Sequence, residues 1–86
     1  MPNEDISKVI AAKKRELNRT KKQLNEAMAV FEEATKKLES DPTSTLYYAD
    51  YVIAKAAVSV KSSAITIIES ELYNLSKIQD ADQPGM

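Results

Sequence analysis

Three kinds of side chain in this sequence could do chemistry. Ser59, Ser62 and Ser63 are hydroxyls that a general base could turn into nucleophiles, Glu32/Glu33 and Glu69/Glu71 are neighbouring carboxylates, and Tyr47, Tyr48 and Tyr51 are phenols. Each lacks the company it would need. The chain has no His and no Cys, which removes the usual base for a serine, the usual metal ligand, and all thiolate and disulfide chemistry. Carboxylates one or two positions apart on a helix point in different directions and cannot face each other as an acid/base pair. The serines therefore read as small residues lining tight helix contacts, and the glutamates as solubilising charge. The tyrosines read either as a recognition cluster or as the capped end of a core. These residues lead to the expectation of a protein that is not an enzyme and has no metal, no cofactor and no small-molecule substrate.

The other conspicuous cluster is KKRELNRTKK, Lys13 to Lys22, with six cations in ten residues. On a helix these cations spread over much of the circumference and have no aromatic residue interleaved for base stacking. They read as a solvated surface flanking a helix seam, and the net charge of −1 also argues against a nucleic-acid partner. That balance is the sum of unlike halves. Met1 to Ser40 has nine bases and seven acids (+2), whereas Asp41 to Met86 has three and six (−3).

The elements that must position these residues are few. Eighty-six residues allow one domain, and a chain so short buries little unless it is very regular or bound to a partner. The opening MPNEDISKV places acids where a signal peptide needs bases, and the uninterrupted apolar runs fall well short of the roughly 18 residues of a membrane span. A cytoplasmic protein without a membrane span is expected. Gly occurs only at 85 and Pro only at 2, 42 and 84, so one strong break divides the interior.

An all-α fold is predicted: an antiparallel two-helix hairpin, coiled-coil-like, over residues 1–78. One helix runs over 5–40, capped by Asn3 or Asp5, the turn occupies 40–44, a second helix runs over 44–77, and 79–86 form a flexible polar tail. In the first helix Ile10, Leu17, Leu24, Phe31 and Leu38 recur every seven residues, the mark of a coiled-coil seam, with Ile6 extending it and Ala27, Met28 and Ala34 widening it. Pro42 cannot continue a helix but suits the first turn of a new one, which Asp41 or Ser44 would cap.

The second helix centres on Val52 to Ile68, where eleven of seventeen residues are Val, Ile or Ala. It carries two apolar stripes. The first, Tyr47, Tyr51, Ala54, Val58, Ile65, Ile68, Leu72 and Leu75, is broken once by Lys61 and matches the first helix with residue numbers summing to 85, as in Phe31 with Ala54 and Leu24 with Lys61. The second is Leu46, Ile53, Ala57, Val60, Ala64 and Ile67. A hairpin leaves it uncovered, and with Tyr51 it is the expected partner-binding surface.

The segment DYVIAKAAVSVKSSAITII, with Tyr51 near its start and Ser63-Ala64-Ile65-Thr66-Ile67-Ile68 near its end, resembles the second helix of the small E-type co-chaperones of type III secretion needle subunits. About 35 residues carry the resemblance. Members of that family are cytoplasmic helical hairpins that dock on a tetratricopeptide-like chaperone, and the pair keeps the needle subunit unpolymerised before export. The resemblance therefore implies a non-enzymatic co-chaperone whose partners are that chaperone and the needle subunit. Asp50 and Val52 stand where members of the family often carry Gln. Two other readings compete: a type III secretion needle or rod-like subunit, which shares the size and an Asp-Pro-like joint, and a helical bundle completed by self-association.

Overall fold

The computed structural model describes residues 2–81, and among them there are two helices and no strand: α1 over Pro2–Ser40 and α2 over Thr45–Ala81. They run antiparallel as a rod with extents of 66 × 15 × 15 Å. At 1.5 Å per residue a helix of 39 residues spans about 58 Å, so the rod is little more than the length of α1. The all-α hairpin expected from the heptad spacing is the fold observed.

The joint shows why each helix stops. The Asp41 amide donates to the Lys37 carbonyl at 3.2 Å, and the Ser44 amide donates to the Asp41 carbonyl at 3.1 Å, closing a four-residue turn around Pro42 and Thr43. Proline at the second position of such a turn is pre-set in φ. The Thr43 hydroxyl braces the turn by donating to Asp41 Oδ1 at 2.9 Å. Of the two candidate caps, Ser44 takes the role: its Oγ accepts from the Tyr47 amide at 3.1 Å, satisfying one of the first-turn N–H groups that have no helical partner.

Both helices outrun their predicted ends. α1 begins at Pro2, not residue 5, because a proline in the first turn forfeits no helical hydrogen bond; Asn3 and Asp5 then lie inside the helix and not at its cap. α2 continues to Ala81, four residues past the expected end. Gln79 follows Leu75 by four, returns to the seam, and donates through Nε2 to Ser7 Oγ at 2.8 Å. Of the polar tail proposed for 79–86, residues 79–81 are helical and 82–86 lie outside the described residues.

The core is a single seam. Ile10, Ala34, Ala54 and Ile68 are the buried apolar residues, and Thr20 is buried among them with its hydroxyl donating to the Glu16 carbonyl at 2.8 Å. Ile6, Leu17, Leu24, Ala27, Phe31 and Leu38 are half-buried on α1, as are Tyr47, Tyr51, Val58, Ile65, Leu72 and Leu75 on α2. These positions alternate steps of three and four, the two-fold heptad repeat of knobs-into-holes packing. The cross-helix polar contacts confirm the register: Lys13 to Glu71, Gln23 to Lys61 and Ser7 to Gln79 have numbers summing to 84, 84 and 86. Met28 is a correction. It is half exposed, because it follows the seam residue Ala27 by one and so turns about 100° away from α2.

Candidate functional site

Two helices can hide only the side they share, and among the described residues no side chain is fully buried. The chain exposes 6392 Å², whereas the scaling of surface with mass for compact monomers gives about 5,100 Å² at 9.6 kDa. Part of the surface that such a rod exposes is one apolar face. Leu46 and Ile53 are each 69% exposed, Val60 64% and Ile67 60%, and these four recur every seven residues on α2. Each precedes a seam residue by one, so the line they form lies roughly 100° around the helix from α1.

The same offset on α1 brings further residues to this side. Val30 precedes Phe31 and is 61% exposed, and Val9 precedes Ile10 and is 44% exposed. Near the turn the two edges converge on a groove of about 370 Å³, lined by Val30, Ala34, Ile53, Ala54 and Ala57 with Glu33, Lys37 and Asp50 at its rim. Val30 and Val9 escape a reading of the sequence by stripes, since two valines three heptads apart form no stripe of their own. The detectable signal is their offset of one from the seam.

Of the residues expected to bind a partner, Leu46, Ile53, Ala57, Val60 and Ile67 are exposed together on this face, and Ala64 is half-buried at its edge toward α1. Tyr51 is placed elsewhere. It is half-buried in the seam, its ring 5.3 Å from that of Phe31 and inclined by 38°, an aromatic pair that adds about 0.5–1.5 kcal/mol beyond area. Tyr47 is half-buried and Tyr48 is 59% exposed on the other side, so the three tyrosines do not form one surface.

The charged groups divide between seam and solvent. Lys13 Nζ lies 3.1 Å from Glu71 on α2 and 3.6 Å from Glu16. The hydrogen bond to Glu71 holds its pKa above the ordinary lysine value. One member of the basic run is thus a helix-to-helix clamp, while Lys14, Arg15, Arg19, Lys21 and Lys22 are exposed. Ser59, Ser62 and Ser63 are exposed, and among the described residues no group of three or more acids could hold a metal ion.

By length and composition alone, Thr45–Ala81 includes a stretch apolar enough to cross a membrane. The expectation of no such segment rested on uninterrupted apolar runs, and allowing for Lys55 and Lys61 lifts that restriction. In the hairpin Lys61 is half-buried and donates to Gln23 Oε1 at 2.9 Å. Comparison with known families, with curated proteins and with solved structures returns no match.

Proposed function

We propose that this chain is a non-enzymatic binding protein, a co-chaperone of type III secretion subunits that docks through the open face of α2 on a tetratricopeptide-like chaperone and helps keep the needle subunit unpolymerised in the cytoplasm. The observation that carries the docking part is the line Leu46, Ile53, Val60 and Ile67, four large apolar side chains at least 60% exposed on one side of a hairpin. Leaving each in water forgoes about 1.5–3 kcal/mol. A surface of this kind marks an interaction site, and helical-repeat chaperones offer grooves that take a helix side-on. The type III assignment rests on the resemblance of Tyr51 and of Ser63 through Ile68 to the E-type co-chaperones.

Affinity purification of the tagged chain from its native host, with the co-purifying proteins identified by mass spectrometry, tests the reading. A helical-repeat chaperone and a small helical secretion subunit are expected. Recovery of the chain alone from actively secreting cells would overturn it. The needle-subunit reading is favoured by one feature, the Asp41-Pro42 joint that closes the turn between the helices. It predicts filaments of the purified chain in electron micrographs, and the co-chaperone reading predicts none.

A further inference from the structure

The open apolar face is also an acidic face. Glu16, Glu26 and Glu33 stand along its α1 edge, and Asp50 and Glu71 close the two ends of the α2 stripe; each precedes a seam residue by one, as Val60 does. Over the span of α1 opposite Leu46 to Glu71, Arg19 and Lys37 are the bases at those positions, a balance of two against five, or −3. Discounting Glu71, which Lys13 holds at 3.1 Å, still leaves −2. Four of the nine bases of α1 lie on its back: Lys8, Arg15, Lys22 and Lys36 are exposed, each two positions before a seam residue, on the side away from α2. The outer border of the stripe is formed by Ala49, Ala56, Ser63 and Ser70, all exposed and seven apart, so nothing bulky keeps a third helix from α2.

A second copy fits this face poorly, since two copies meeting through it would set −3 against −3 across a partly desolvated contact, where like charges cost most. We propose that the occupant is an amphipathic helix of another protein whose apolar stripe is flanked by Lys or Arg. Its apolar side chains fill the groove between Val30, Ile53 and Ala57 and continue along Val60 to Ile67, while its cations reach Glu26, Glu33 and Asp50. This rests on the docking reading and adds the chemistry of the partner; it does not depend on which secretion component supplies the helix.

Two synthetic peptides of about 28 residues, long enough for about 42 Å of helix, separate the alternatives. They share one Leu/Ile stripe and differ only in having Lys or Glu at the flanking positions. Each is titrated into the full-length chain by fluorescence anisotropy at low and at high salt. The Lys-flanked peptide is expected to bind at least about tenfold tighter at low salt, a difference of about 1.4 kcal/mol. That preference should shrink at high salt as the charges are screened, and should disappear or reverse in Glu26→Lys/Glu33→Lys. Val60→Asp, and independently Ile53→Asp, should abolish binding of both peptides with helicity retained. Equal affinity for the two peptides, a preference that survives Val60→Asp and Ile53→Asp, or a tight homodimer of the chain dispersed by Val60→Asp would each overturn the proposal. A host pull-down that yields no secretion chaperone would count against the co-chaperone assignment alone, because the peptide preference is read without it.

Discussion

Lys61 and Gln23 meet inside the helix seam, with Nζ 2.9 Å from Oε1, in a layer where the heptad pattern otherwise calls for an apolar side chain. A polar residue at one seam position costs stability but fixes alignment. Sliding the helices by one heptad would set Lys61 against Phe31, with Val30 in the place of Gln23 and no side-chain acceptor, or against Leu17, where the only replacement for Gln23 is Glu16, a carboxylate that Lys13 already pairs with at 3.6 Å. Lys61→Leu is therefore expected to raise the thermal midpoint, as a half-buried leucine contributes about 1 kcal/mol, and to relax the alignment, so that sedimentation equilibrium reports dimers or larger species. A variant that is more stable and still strictly monomeric would remove the alignment role.

Ile67 and Ile68 are adjacent, yet Ile67 is 60% exposed and Ile68 only 5%. Ile68→Asp buries an unpaired carboxylate in the seam, and a loss of about 3–5 kcal/mol is expected, enough to unfold a small domain. Ile67→Asp should change stability by no more than about 0.5 kcal/mol while abolishing partner binding. Circular dichroism melts and a pull-down on the pair test this; comparable unfolding at both positions would mean that the face around Ile67 is not free.

The joint makes a local prediction. Ser44 is the single side-chain cap observed at the start of α2, so Ser44→Ala is expected to cost about 1 kcal/mol. In a chain of this size that lowers the thermal midpoint by about 4–8 °C. Ser44→Asp should restore it, because aspartate caps equally well. A melt unchanged in Ser44→Ala would mean that the turn hydrogen bonds at Asp41 hold the helix start without the cap.

What could be read from the sequence was what repeats. Seven-residue spacing from Ile10 to Leu38 gave α1 its seam, and matching it against α2 gave the register, because large-to-small pairs such as Phe31 with Ala54 tolerate few alternatives. The docking line from Leu46 to Ile67 followed as the stripe left over. Unrepeated features were harder. Thr20 and Lys13 occupy seam positions that composition alone marks as surface, and they are accommodated by a hydroxyl bonded to its own helix and by an ammonium bonded across to Glu71. Gln79 lies in a polar stretch that reads as tail, yet its place in the heptad carries α2 onward. Tyr51 is expected among the binding residues as part of a tyrosine recognition cluster, whereas its spacing from Ala54 and Val58 already places it in the seam.

Lys13 carries the pH prediction. Its hydrogen bond to Glu71, aided by the charge of Glu16, raises its pKa above 10.5. The folded state thus binds the proton more tightly than the unfolded state does. The resulting stabilisation is fully present below about pH 10.5 and is lost as pH climbs through the raised value. Comparing the wild type with Lys13→Met isolates the contribution of this group. The gap between their thermal midpoints should be constant from neutral pH to about 10 and close above about 10.5, and it should also narrow with added salt. A gap independent of pH would show that the lysine acts through its aliphatic stem against Leu72 and not through its charge.

Covalent closure of the seam tests the fold itself. Leu17 is half-buried and Ile68 buried, and their numbers sum to 85, so Leu17→Cys with Ile68→Cys should place two thiols in one layer of a chain that has no other cysteine. Oxidation is expected to give a disulfide within one chain, visible as a compact monomer on non-reducing gels. Closing a loop of about 50 residues stabilises by about 4 kcal/mol in the chain-entropy account, less whatever strain the bond imposes. The single variants should remain reduced monomers, since neither position faces its own copy. If oxidation of the double variant yields only dimers linked between chains, the two helices pair with those of a neighbour, and the face from Leu46 to Ile67 would then belong to an extended assembly in place of a free hairpin.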